Sequence, residues 1–288
     1  MWYIDQDGMP VTIYQANEAQ GGIILGIRQA VHDILASRHV IARLFWRDFI
    51  AQFRQKVLGY FWALLNPFLA ILSFLFLFLI GVLKPGQGEI PYTIYVLIGS
   101  TIWGCLPAAM GAVSGGLQAH ADLIMRTRIP KLALAVSSLA GVVYGILMSV
   151  FTIGIIFLLT GAAPTWWLLA YPLLVLPMVL LGTAVGLVLS VLGSIARDLT
   201  PMASQVVTLA MYITPVIYMR STIENQFVRV LIYGNPLTYL VDVPRSLICL
   251  GRADNLPIFI LVFLATVILV ALGLRIFYLL EDLVAERL

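Results

Sequence analysis

The sequence predicts an all-α integral membrane protein. Six transmembrane helices are expected, with an interfacial amphipathic helix before the first and short re-entrant helices between the fifth and sixth. Three observations carry that prediction. Of 288 residues, 61% are hydrophobic and only 11% charged, with a mean hydropathy of +1.00, far outside the range of soluble domains. Uncharged runs cover 57–83, 90–119, 132–196, 199–219 and 255–274, each able to cross a hydrocarbon core that takes roughly 20 helical residues. These runs are continuously apolar rather than alternating at period two, which favours helices over barrel strands.

The opening MWYIDQDGMPVTIYQANEAQGG is mixed and mildly acidic. It lacks the basic start and apolar core of a cleaved signal, so the first span is expected to stay as an anchor. Residues 1–37 form a cytoplasmic N-terminal segment in this reading. SRHVIARLFWRDFIAQFRQK then predicts an amphipathic helix over 38–56, with Ser37 as its N-cap. At 100° per residue, Ile41, Phe45, Phe49 and Phe53 share a face and Arg43, Arg47 and Arg54 gather opposite. That pattern fits a helix lying on the inner leaflet. Asp48 falls at the edge of the apolar stripe, where lipid disfavours it, and points to a protein partner there.

The membrane domain, 57–280, is divided into spans at about 57–83, 91–118, 132–160, 166–194, 200–219 and 256–279, with a tail at 281–288. The run 132–196 must cross twice, turning at GAAPTWW (161–167), whose Gly, Pro and paired Trp suit an interfacial turn. Between spans five and six, VLIYGNPLTYLV (230–241) is too short to cross and is interrupted by Gly234, Asn235 and Pro236. It predicts short helices dipping into the outer half of the bilayer.

With both termini on one side, that side carries twelve of the 17 Lys/Arg, including Arg126, Arg128 and Lys131 in HADLIMRTRIPK (120–131), against five opposite. The positive-inside rule then places both termini and the 120–131 segment in the cytoplasm.

Several chemistries are disfavoured. On these boundaries no Asp, Glu, Lys, Arg or His lies deep inside a span, which argues against proton-coupled transport and voltage sensing. The only lysines, Lys56, Lys84 and Lys131, follow Gln55, Leu83 and Pro130, so none completes a phosphate-binding G-x-x-x-x-G-K-[ST] loop. His32, His39 and His120 lack the spacing of a zinc site or catalytic pair and read as solvated or interfacial. Cys105 and Cys249 read as free thiols. No catalytic, cofactor-binding or metal-ligating residue is expected on this chain. What remains is a transport path without its own energy source, with a cytoplasmic face on which a soluble ATPase can dock.

Three stretches then resemble the ABC-2 type permease subunits, in particular exporters of lipid-linked polysaccharides such as O-antigen, capsule or teichoic acid. LFWRDFIAQFRQKVLGYFWALLNPFL (44–69) is similar to the family's amphipathic helix entering span one, with Arg47-Asp48, Leu58-Gly59, Trp62 and Pro67 in order. SIARDLTPMASQVVTLAMYITPVIY (194–218) is similar to its Arg-Asp turn and a span ending Thr-Pro-Val. YGNPLTYLVDVPRSLI (233–248), with Asn235-Pro236-Leu237 and Arg245, is similar to its outer loop. The likeness runs over about 38–288. It implies a bacterial inner-membrane homodimer bound to two copies of a separate nucleotide-binding subunit that holds ATP and Mg. It also implies that 120–131 is a coupling helix, with Leu123, Arg126 and Arg128, together with Arg47 and Asp48, transmitting the ATPase's motion. The partners expected are thus a second copy, the ATPase, a lipid-linked glycan and membrane lipids, with no nucleic acid.

A glycan is long, polar and largely uncharged, and sugar rings slide over aromatic faces. Tyr60, Phe61 and Trp62 at the inner end of span one, with Phe74, Trp103 and Tyr212, are the candidates for such a lining. Against each stands ordinary helix packing or an interfacial belt. An exporter of small hydrophobic drugs or a non-transport scaffold would share this architecture.

Overall fold

A computed structural model describes residues 3–4, 10–11, 23–54, 69, 72–73, 76–81, 89–120, 123, 129–196, 198–220, 223 and 225–285. Apart from a two-residue antiparallel ladder pairing Tyr3 with Val11, the regular elements among the described residues are helices. In chain order the helices are α1 (Ile23–Ala36), α2 (Arg38–Arg54), α3 (Tyr92–Ala119), α4 (Lys131–Ser137), α5 (Ala140–Thr160), α6 (Tyr171–Leu174), α7 (Leu176–Ile195), α8 (Leu199–Ile213), α9 (Gln226–Gly234), α10 (Pro236–Leu250) and α11 (Leu256–Ala285). Most of the expected first span lies outside the described residues.

Among the described residues, four helical segments are long and apolar enough to cross a membrane: Tyr92–Ala119, Lys131–Thr160, Leu176–Gly193 and Leu256–Leu280. The second is the α4–α5 pair. Its bend falls where the hydroxyls of Ser137 and Ser138 both donate to the Leu134 carbonyl, at 2.8 and 2.9 Å, a local competition that bends helices. α8 has only 15 residues. It stops because Pro215 has no N–H to continue the ladder and forces Thr214 out of the helical region, to ψ 137°.

α3 forms the centre of the bundle, packed between α5 and α7, while α11 covers the other side of α7. The α3–α7 contact is close because of Gly182 and Gly186. A Cβ on Gly182 would collide with the Leu106 carbonyl, and one on Gly186 would stand 2.8 Å from Val113 Cβ and 2.9 Å from the Met110 carbonyl. Two glycines four residues apart on one face let helix backbones approach where apolar burial cannot distinguish helix from lipid. Pro107 lies inside α3, a position that membrane-spanning helices tolerate more readily than soluble ones.

α2 turns its apolar face onto α4 and α5 of its own chain. Phe49 meets Tyr144 edge-on, with ring centres 6.1 Å apart, and Phe45 and Trp46 stack on Phe49. Much of the stripe expected to lie in lipid is therefore covered by protein. α1 runs along the end of α11, where Tyr278 donates to Asp33 Oδ2 at 2.8 Å.

Candidate functional site

Two polar clusters lie at opposite ends of α3. Tyr95 belongs to one and His120 to the other, separated by about 38 Å at ~1.5 Å per residue.

The first cluster forms where α8 breaks. Beyond Ile213 the carbonyls of Pro215, Val216, Ile217 and Tyr218 have left the helix and need other donors. Tyr92 Oη donates to Ile217 O at 3.0 Å, and Tyr95 Oη lies 3.1 Å from Pro215 O and 3.0 Å from Tyr218 O. Arg245, from α10, supplies the rest: Nη1 and Nη2 each reach Pro215 O at 3.2 Å, and Nη2 reaches Val216 O at 3.2 Å.

Arg245 is 1% exposed, and an unpaired guanidinium at such a place would be very costly. It is paired with Asp242, one turn earlier on α10, at 2.7 Å. Asp242 also pairs with Arg220. The Arg245 guanidinium lies over the Tyr95 ring, which adds a cation–π contact. Only glycine fits at position 99, since a Cβ there would strike Arg245 Nη2 and stand 2.6 Å from Val216 O. Asn235 completes the cluster: Oδ1 caps α10 at Leu237 N, 3.0 Å, while Nδ2 donates to Thr214 Oγ1 at 3.0 Å. The Thr-Pro-Val and Asn-Pro-Leu stretches, separate in sequence, thus meet directly through Asn235 and Arg245, with Tyr92 and Tyr95 of α3 serving the remaining carbonyls.

The second cluster centres on His120, which follows the last turn of α3. It is 7% exposed. Its Nδ1 lies 2.8 Å from the Gly116 carbonyl, so Nδ1 is the donor. Nε2 faces α2, 2.9 Å from Arg47 Nη2 and 3.4 Å from Asp48 Oδ2. Arg47 and Asp48 pair with each other at 2.8 Å. The protein partner that the Asp48 position demanded is this chain's own α3 end. His120, expected to be solvated or interfacial, is instead buried.

The other site residues are scattered. Leu123, half-buried, packs against the smaller apolar cluster that holds Leu117 and Leu132. Trp103 is 4% exposed in the main core, where it is fully engaged in helix packing. Tyr212 stands 57% exposed on α8. Arg126, Arg128, Tyr60, Phe61, Trp62 and Phe74 lie outside the described residues. Tyr92, Tyr95 and Gly99 carried no motif; the signal that finds them is the need of the Thr-Pro-Val carbonyls for donors.

Comparisons with known proteins agree with this architecture. The ABC-2 type transporter family matches residues 39–249. An O-antigen export system permease protein RfbA of Myxococcus xanthus is 26% identical over 212 residues, 73% of this chain and 80% of the relative. One of the same name from Klebsiella pneumoniae is 27% identical over 244 residues, 84% of this chain and 92% of the relative. With four helical segments among the described residues long and apolar enough to cross a membrane and a family match over most of its length, this chain is an integral membrane protein and a member of the ABC-2 type transporter family.

Proposed function

We propose that this chain is the membrane-embedded permease subunit of an ATP-driven exporter that carries a lipid-linked polysaccharide of the O-antigen kind across the bacterial cytoplasmic membrane. Two copies with six spans each and cytoplasmic termini form the path. A separate nucleotide-binding subunit, also in two copies, hydrolyses ATP. The relatives' name supports the cargo, and one feature of α8 carries the reading. Gln205, Thr208 and Tyr212 recur at helical spacing and are all exposed, giving a polar stripe beside the apolar stripe Met202, Val206, Leu209 and Ile213. A glutamine amide facing acyl chains is costly. Facing a hydrated glycan, it offers both a donor and an acceptor to sugar hydroxyls, and the Tyr212 ring offers a stacking face.

In this reading the aromatic group near Trp62, with Tyr60, Phe61 and Phe74, lines the wall opposite α8. Leu123, Arg126 and Arg128 form the handle held by the ATPase, and the Arg47–Asp48–His120 cluster passes the handle's movement between α2 and α3. Deleting the ATPase gene and measuring surface polysaccharide tests the assignment: loss of export is expected, and undiminished export overturns it. Within the exporter, Arg126→Glu with Arg128→Glu is expected to lower ATP hydrolysis while membrane insertion stays intact. An unchanged rate removes the handle from the mechanism.

A further inference from the structure

Residues 23–36 precede the family match and are not needed for either cluster, yet α1 has a marked surface. Ile27, Val31 and Leu35 are 39%, 50% and 61% exposed. At 100° per residue they form one arc about 80° wide, bordered by exposed Arg28 and then His32. The opposite flank is already occupied: Ala30 is buried, Gly26 approaches the Arg275 backbone and Asp33 accepts from Tyr278.

Where α1 sits says what covers the arc. It crosses α11 at Arg275–Tyr278, in the last turn of the membrane-crossing segment Leu256–Leu280. That is the level at which hydrocarbon gives way to headgroups, as an arginine followed by a tyrosine at that point indicates. On α11, Leu272 and Leu279, either side of the crossing, are 37% and 46% exposed, so an apolar surface brackets it. Charge agrees. Arg28, Arg38 and Arg43 are exposed, whereas the two carboxylates of α1 and α2, Asp33 and Asp48, are engaged with Tyr278 and with Arg47 and His120. The outward charge is positive, suited to anionic headgroups.

We propose that α1 is an interfacial membrane helix, with Ile27, Val31 and Leu35 seated among acyl chains and Arg28 on the phosphate of an anionic phospholipid. It makes a lipid contact separate from the transport path and independent of the cargo.

The test uses full-length protein in nanodiscs of phosphatidylcholine with or without phosphatidylglycerol. Cys105 and Cys249 are replaced by serine, and a spin label is attached at Val31→Cys or, as a control, at Gln29→Cys on the other side of α1. Collisions with oxygen, which partitions into acyl chains, are compared with those of a water-soluble nickel chelate. The expected result is oxygen dominance at 31 and nickel dominance at 29. Nickel dominance at 31 overturns the proposal by placing the arc in water. Protection of 31 from both reagents overturns it by showing a protein cover, a second copy or another subunit. Arg28→Gln is expected to lower the oxygen-to-nickel ratio at 31 only in discs containing phosphatidylglycerol. An equal effect in both compositions removes Arg28 from headgroup binding.

Discussion

The Arg245 guanidinium carbon stands 3.6 Å from the centre of the Tyr95 ring, and that contact ties the end of α8 to α3 and α10. The same guanidinium satisfies carbonyls left by the Pro215 break and neutralises Asp242. Arg245→Met is therefore expected to leave Asp242 with Arg220 alone and the Val216 carbonyl without its donor, with a loss of about 1–3 kcal/mol. Thermal denaturation in nanodiscs measures it. Arg245→Lys should rescue little, because one ammonium cannot span the Pro215, Val216 and Asp242 acceptors as the planar fork does.

Gly99→Ala attacks the same contact from the other side by displacing the guanidinium. Its cost should be on the order of 1–3 kcal/mol. Combined with Arg245→Met the two should be clearly less than additive, since both remove one seat. Full additivity in a melting experiment would separate Gly99 from the arginine.

Gly186→Leu inserts a side chain between α3 and α7, where Val113 and the Met110 carbonyl already stand within contact distance. A loss of roughly 1–3 kcal/mol or more is expected from overpacking, read as lower melting temperature and poorer recovery of folded protein. Gly145, whose Cβ would meet nothing within 4 Å, should accept alanine without such a loss.

Asp48→Asn and His120→Gln each weaken the junction of α2 with α3. The residues touch, so a double-mutant cycle on thermal stability should yield a coupling of about 0.5–3 kcal/mol. His120→Gln should cost less than His120→Ala, because the amide keeps polar atoms near Gly116 O and Arg47.

Asn235→Ala removes the cap of α10 and the donor to Thr214 together. About 1 kcal/mol is expected for the cap. Thr214→Val removes the acceptor of the second bond together with the hydroxyl's own donation to Ala210 O at 2.9 Å, and a loss smaller than that of Asn235→Ala is expected.

The membrane-crossing helices were legible because continuous apolar stretches of that length can hide their backbone groups in lipid only as helices. Family membership was legible in three motifs that lie on α2, around α8 and on α10. The joining of those motifs was not, because it rests on particular contacts of Asn235 with Thr214 and of Arg245 with Pro215 and Val216, and on Tyr92 and Tyr95, more than a hundred residues from the carbonyls they serve. His120 was misjudged for a related reason: its neighbours Ala119 and Ala121 give no sign of burial, which comes from α2 folding over it. Gly182 and Gly186 stand four residues apart in GTAVG, on the face that α7 turns to α3. Among the lining candidates, Trp103 and Tyr212 look alike in sequence, yet one fills the core and the other faces outward. Their difference rests on helix rotation, to which an aromatic letter in an apolar run gives little clue.

The glycine contact between α3 and α7 has a mechanical meaning. Side chains that interdigitate loosely can slip by changing rotamers, but backbones brought together through Gly182 and Gly186 have no soft layer between them. α3 and α7 are therefore expected to move as a single keel. If the two helices do move as one body, a shift of α2 at the His120 end is expected to reach Tyr95 and Arg245 at the other, which paired spin-label distances across α2 and the end of α8 would measure.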